Sequence, residues 1–320
     1  MKIFDSGSAL EHYRQNKQSS TWASAAEGEA SYGTVRPGQG AARVFTDFCQ
    51  VDIRPKFYIS SSSAFFAAGS CFARNVERAL HEQGRTVLSW RPGLRISNEW
   101  FHRYNTFSII SDFDNALRGS LDERLLTEVK PDKFIDFSGY GKAPTREELR
   151  AKRQAVIDQH RNMLQADVLI LTLGLVEAWF DTQTGRYLNI SPVEAALKDP
   201  QRYQLHITDY GQNREALEIF LDFITTVVKR DVKVIVTVSP VPLNVTFSEQ
   251  DVLIANTYSK SVLRAVAQSF ADDHDCVDYF PSYEIVTLSR PDSAWLPDYR
   301  HVRPEFVDLI MAYFMKHYVA

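Results

Sequence analysis

Two stretches of the chain, Asp167–Leu173 and Val232–Val238, are apolar at nearly every position rather than at every second one. Continuous apolarity of that length predicts β-strands buried on both faces, as parallel sheets require. Shorter apolar runs at Ala64–Ala68, Thr86–Trp90 and Cys276–Phe280 predict three further strands. Between the strands the period changes. Thr145–Gln165, Arg214–Arg230 and Asp251–Asp273 read as helices leading into the third, fourth and fifth strands. Apolar residues at 72, 76, 79 and 80 place another helix directly after the first strand, with Gly84 as its stop. A last amphipathic segment runs from Phe306 to Tyr318. Strands alternating with helices predict an α/β fold, a parallel sheet with helices packed on it.

Residues 17–42 are rich in Ser, Ala and Gly and have no sustained period. Residues 1–44 are therefore expected to form an arm or linker, and 45–320 the compact domain. Residues 106–144 exceed an ordinary connection and are expected to be an insertion. With 44% hydrophobic and 12% aromatic residues, the chain has ample material for a core. A net charge of −4 with scattered basic residues argues against a general nucleic-acid binder. Met1–Ser20 lacks an apolar h-region, and the strongest apolar run, Val168–Val176, is too short to span a bilayer. A soluble cytoplasmic protein without a membrane span is the expectation. Cys49, Cys71 and Cys276 are odd in number and show no ligand spacing, which fits reduced, packed thiols and no metal.

Ligands of a parallel sheet bind outside the carboxyl ends of its strands, so the residues leaving those ends are the chemical candidates. Phe65 to Ala73 places Ser70 where strand becomes helix. Two roles fit that place: an N-cap, or a nucleophile beside the unpaired N–H groups of the first helical turn. Cys71 is a rival nucleophile, although its apolar context suits packing. Asp298-Tyr299-Arg300-His301 follows the fifth strand. A carboxylate three residues before a histidine can hold Nδ1–H and leave Nε2 to take a proton. Of eight histidines, His301 alone has Asp at that spacing, and His102, with Glu99 there, is the nearest alternative. Leu173 to Glu177 and Ser239 to Pro242 leave the third and fourth strands. The Ala-Gly-Ser-Cys turn has neither the second glycine nor the lysine of a phosphate loop, and no His-Glu-x-x-His occurs, so neither a nucleotide nor a zinc reading is supported.

Taken in order, Gly69-Ser70-Cys71-Phe72-Ala73, Tyr104-Asn105, Thr172-Leu173-Gly174 with Glu177-Ala178-Trp179, Ser239-Pro240-Val241, Asn256 with Ser259-Lys260, and Asp298-x-x-His301 resemble the GSCFA family of the SGNH/GDSL hydrolase superfamily. The resemblance covers roughly residues 45–318. It implies a three-layer, flavodoxin-like sheet with helices on both faces, and a serine esterase apparatus. Ser70 becomes the nucleophile, His301 the base, Asp298 its orienter, and the N–H groups of Ser70 and Gly174 part of an oxyanion hole. The superfamily's asparagine after that glycine is replaced by Val176-Glu177, and Asn105 is the expected substitute; a turn asparagine satisfying its own backbone is the alternative. Gly69 stands where the superfamily carries aspartate. Glu177 and Trp179 are candidate substrate contacts, with a helix-cap partner and a structural aromatic as their plainer roles. Lys260 reads most simply as a solvated helix charge, and its recurrence in the family pattern implies a supporting role behind the site as the alternative. The implied activity is hydrolysis of O-acyl esters of a small molecule or glycan through an acyl-enzyme, without a cofactor. Transfer of the acyl group by the same triad is one alternative. A non-catalytic glycan- or metabolite-binding protein is another.

Overall fold

A computed structural model describes residues 3–24, 33–139, 141–228 and 231–320. Five strands, β1 (Ala64–Gly69), β2 (Thr86–Val87), β3 (Val168–Leu173), β4 (Lys233–Val238) and β5 (Val277–Tyr279), form one sheet in the order β5-β4-β3-β1-β2. All four pairings are parallel. Six helices matter to the site: α1 (Cys71–Glu82), α2 (Thr106–Arg118), α3 (Arg146–His160), α4 (Tyr210–Phe223), α5 (Val252–Asp273) and α6 (Pro304–Tyr318).

Successive side chains of a strand face opposite ways, and here both faces are covered. Phe65, Ala67, Val168, Ile170 and Ile235 pack with Phe72 and Val76 of α1 and Phe306, Ile310 and Phe314 of α6. Phe66, Ala68, Leu169, Leu171, Val234 and Val236 pack with Ile109 and Phe113 of α2, Leu217 and Phe220 of α4, and Leu263 and Phe270 of α5. Each Val, Leu, Ile or Phe among them stabilises the fold by about 1.5–3 kcal/mol when fully buried. The outcome is a mixed α/β, flavodoxin-like architecture. From β1 the chain steps outward to β2, then returns past β1 to β3. The order therefore reverses between β1 and β3, the position at which open α/β sheets form a ligand crevice.

Some boundaries differ from the pattern-based expectation. The ladder of β2 ends at Val87 rather than Trp90, because the chain turns there and Trp90 N–H donates to Val87 O at 3.1 Å. Helix α4 starts at Tyr210, earlier than Arg214, because Asp209 and Gln212 form a reciprocal capping box. Its expected last residues, 229 and 230, lie outside the described residues. Residues 106–118 are not an insertion, since α2 belongs to a helical layer of the main core. The rest of the segment carries an antiparallel sheet of Leu126–Lys130, Lys133–Asp136 and Gly141–Ala143. A second small sheet, absent from the sequence reading, comprises Glu177–Asp181, Arg186–Tyr187 and Tyr203–Ile207. The two small sheets share a cluster containing Val129, Ile135, Phe137, Leu188 and Tyr203, so they form one cap beside the sheet's carboxyl edge. Within the expected arm, Ser6–Gln15 is helical behind an Asp5 cap, and 25–32 lie outside the described residues. Among the described residues no helix is long and apolar enough to cross a membrane.

Candidate active site

The floor of the site is set by β1 and β3. Gly69 has φ +144°, and a Cβ there would meet Thr172 O at 2.6 Å, so glycine is the residue that fits. Ser70 follows, 4% exposed, and caps α1 by accepting from Phe72 N–H at 3.4 Å. Its Oγ also lies 3.2 Å from Oγ of Ser239, the residue after β4. Across the reversal sits Gly174, where a Cβ would meet Tyr104 O at 2.4 Å. Ser239 N–H donates at 2.8 Å to Leu173 O, the carbonyl of the peptide that carries the Gly174 N–H. Engaging that carbonyl polarises the N–H as a donor.

Helix α5 fixes the two turns that bound this floor. Asn256, Ser259 and Lys260 share one helical face by their spacing. Asn256 Oδ1 accepts from Leu243 N–H at 3.1 Å, and Ser259 Oγ accepts from Val176 N–H at 3.1 Å. Lys260 Nζ donates to Gly174 O and to Val241 O, both at 2.8 Å. Reading Lys260 as a solvated charge is therefore corrected: it is 1% exposed, and burial pushes its ammonium down to about 7. A charge at an i+4 position in a polar-looking stretch gives no sign that two carbonyls wait for it.

The other half of the site is a loop closed by the bridge between Trp295 and Val302, with Tyr299 at φ +49°. One carboxylate organises it. Asp298 Oδ1 accepts from the backbone N–H groups of Arg300 (3.1 Å) and His301 (3.0 Å), and Oδ2 accepts from His301 Nδ1 at 2.6 Å. The hydrogen bond from the imidazole and those from the backbone hold the Asp298 carboxyl well below the usual carboxylate range. With Nδ1–H donated to Asp298, Nε2 carries the lone pair. Arg300 Nη1 lies 3.3 Å from that nitrogen. Among the described residues no hydrogen bond joins His301 to Ser70. Both line one pocket of about 450 Å³, together with Cys71, His102, Gly174, Trp179, Ser239 and Arg300.

Three candidates occupy other roles. Asn105 is 2% exposed and caps α2: its Oδ1 accepts from Ser108 N–H at 2.9 Å, and its Nδ2 donates to Leu188 O at 2.9 Å. It does not line the pocket, so its assignment as an oxyanion donor is corrected to that of a cap. Glu177 lines the pocket, but its carboxylate accepts from Thr246 Oγ1 at 2.5 Å and Phe247 N–H at 3.1 Å. Trp179 packs edge-on to Phe247 at 5.4 Å between centroids. Together they hold the 244–248 loop over the cavity. Cys71 is in the pocket with its thiol pushed up by burial.

The wall opposite is formed by His102 and Tyr104, in a segment bridged to Gly69 at His102 and to Leu175 at Asn105. Asn189 pins it, accepting from Tyr104 N–H at 2.8 Å and donating to His102 O at 2.9 Å. Behind it, Asp112 pairs with Arg103, with Arg153 at 2.9 Å and with His160 at 3.2 Å, all buried. Asp136 adds a 2.9 Å contact to Arg153. His102 faces the pocket, and burial, then Arg74, Arg103 and Arg91, push it down to about 3, so it stays neutral. Neither Asn189 nor Arg300 stands out in the sequence as a site residue; Ser239 is visible there as a residue leaving the fourth strand and as part of the Ser239-Pro240-Val241 block.

Among the described residues no group of three or more His, Cys, Asp or Glu side chains is arranged to hold a metal ion. The arrangement supplies a buried hydroxyl, a histidine oriented by a carboxylate, and backbone donors at a sheet edge, the parts that acyl transfer uses. No curated protein matches the chain in a sequence comparison. The family model described as GSCFA matches residues 64–314, a span that runs from β1 into α6 and holds every residue of this pocket, and the chain belongs to the GSCFA family.

Proposed function

We propose that the protein is a serine-dependent esterase of the SGNH type, cleaving O-acyl esters through an acyl-enzyme on Ser70. The observation that carries the reading is the 2.6 Å contact of Asp298 Oδ2 with His301 Nδ1, in a loop lining the same pocket as Ser70. In this mechanism Ser70 Oγ bonds to the ester carbonyl carbon, its proton passes to His301 Nε2, and the carbonyl π pair moves onto oxygen. The N–H groups of Ser70 and Gly174 receive that oxyanion. Collapse re-forms the carbonyl and breaks the ester C–O bond, and the leaving alkoxide takes the proton from His301. Water, deprotonated by His301, then repeats the sequence on the acyl-enzyme and releases the acid and Ser70. A sugar hydroxyl in place of water would make the same site an acyltransferase. Trp179 on the cavity wall suits a glycan, since an aromatic face packs on a pyranose.

Ser239 joins this apparatus as a positioning residue. Its hydroxyl, 3.2 Å from Ser70 Oγ, orients the nucleophile before His301 engages it. A second reading, a binding protein without turnover, draws on the same contact, because Ser70 Oγ meets Ser239 and Phe72 N–H rather than His301. Turnover of p-nitrophenyl acetate separates the two. The esterase reading expects hydrolysis that survives exhaustive chelation and is lost in both Ser70→Ala and His301→Ala. Hydrolysis unaltered by those substitutions contradicts it, and ligand binding without turnover favours the second reading.

A further inference from the structure

Arg300 is an unusual lining residue. Among the described residues two carboxylates share its cavity, but Glu177 is engaged by Thr246 and Phe247, and Glu99 is exposed. Among the described residues no carboxylate forms an ion pair with Arg300; its Nε is buried without an acceptor, and its Nη1 rests against His301 Nε2 at 3.3 Å. The guanidinium thus covers the nitrogen that must take the Ser70 proton. A guanidinium is a planar fork of donors that matches carboxylate or phosphate in two parallel hydrogen bonds, and a neutral imidazole offers it one acceptor.

Cationic side chains act on other groups of the cavity as well, while the Asp298 carboxylate sits on the far side of the His301 ring. The charges that act on the Cys71 thiol are Arg300 and Lys260, and those that act on His102 are Arg74, Arg103 and Arg91. Two groups lining the pocket thus sense cations. Of these five side chains Arg300 alone lines the cavity.

We propose that Arg300 recognises an anionic group on the substrate, a carboxylate or phosphate near the ester, and that engaging it draws the guanidinium off His301 Nε2 and opens that nitrogen to Ser70. The inference rests on the esterase reading and adds a substrate class to it. Wild type, Arg300→Met and Arg300→Lys, each checked for native fold, are compared on p-nitrophenyl acetate and on the p-nitrophenyl half-ester of succinic acid. Wild type should favour the half-ester in kcat/KM by about tenfold or more. Arg300→Met should lose that preference and cleave the acetate several-fold faster, because Nε2 is uncovered, and Arg300→Lys should keep part of the preference. A preference that persists in Arg300→Met, or an equal slowing of both esters, overturns the assignment. If wild type cleaves neither ester, the esterase reading fails, and calorimetric titration with succinate decides the anion site by itself. Binding by wild type that disappears in Arg300→Met supports the site; equal binding, or none to wild type, refutes it.

Discussion

Ser70 and His301 reach one pocket from opposite kinds of structure. Ser70 follows a strand packed between two helical layers and is 4% exposed, whereas the His301 side chain is 44% exposed on a loop. The position of the serine is over-determined by the core: Gly69 cannot be replaced without a clash, α1 begins on the serine, and β3 and β4 fix its neighbours. The position of the histidine depends on one carboxylate, which holds its ring and two backbone N–H groups. Chemistry is thereby separated from stability. Substitutions in the loop should remove rate and spare the fold, and substitutions beneath the floor and wall should do the reverse.

Asp298→Asn breaks that comparison most severely. The wrong histidine tautomer should cost on the order of 10⁴ in kcat, with thermal unfolding little changed because the loop is exposed. Steady-state kinetics beside a melting curve checks both halves; an active variant refutes the dyad. Asp112→Ala is the opposite case. It strips the buried Arg103, Arg153 and His160 of their shared carboxylate and should destabilise by about 3–5 kcal/mol in urea unfolding. Activity of the fraction that remains folded should persist.

Acid sharpens the same division. Burial pushes His160 down to about 4 and His102 down to about 3, so both stay neutral in the fold while the unfolded chain takes up protons from about pH 6.5 downward. The unfolded state then binds more protons, and stability should fall as pH drops through that window, by up to about 1.4 kcal/mol per pH unit for each histidine. Urea midpoints between pH 7 and 5 measure it, and His160→Gln should flatten the slope. Asn105→Ala is the smallest effect. Losing a helix cap should cost about 1–2 kcal/mol and leave kcat within a few-fold. An oxyanion donor would instead cost about 10²–10³ in kcat, so this variant discriminates between the two roles.

The long strands were legible because burial on two faces writes continuous apolarity into Val168–Leu173 and Lys233–Val238. Ser70 was legible because a strand, a glycine and a helix adjoin it, and the Asp298–His301 pair because its partners are local. The second small sheet was not. Its strands, Glu177–Asp181 and Arg186–Tyr187 among them, are too short to show a period, and they cohere through contacts with the 126–143 sheet. Asn189, Arg300 and the partners of Lys260 escaped for a related reason. Each takes its meaning from groups distant in sequence or from a cavity, and the residue type does not announce either. Asn105 misled in the other direction, since the residue before a helix is a natural cap: its Oδ1 takes that role, and its Nδ2 is held by the distant Leu188 O.

The most direct measurement is the site of modification by a fluorophosphonate, mapped by peptide mass spectrometry in the folded protein. One adduct is expected, on Ser70, formed far more slowly in Asp298→Asn and not at all in Ser70→Ala. An adduct on Cys71, or none in native wild type, would contradict it.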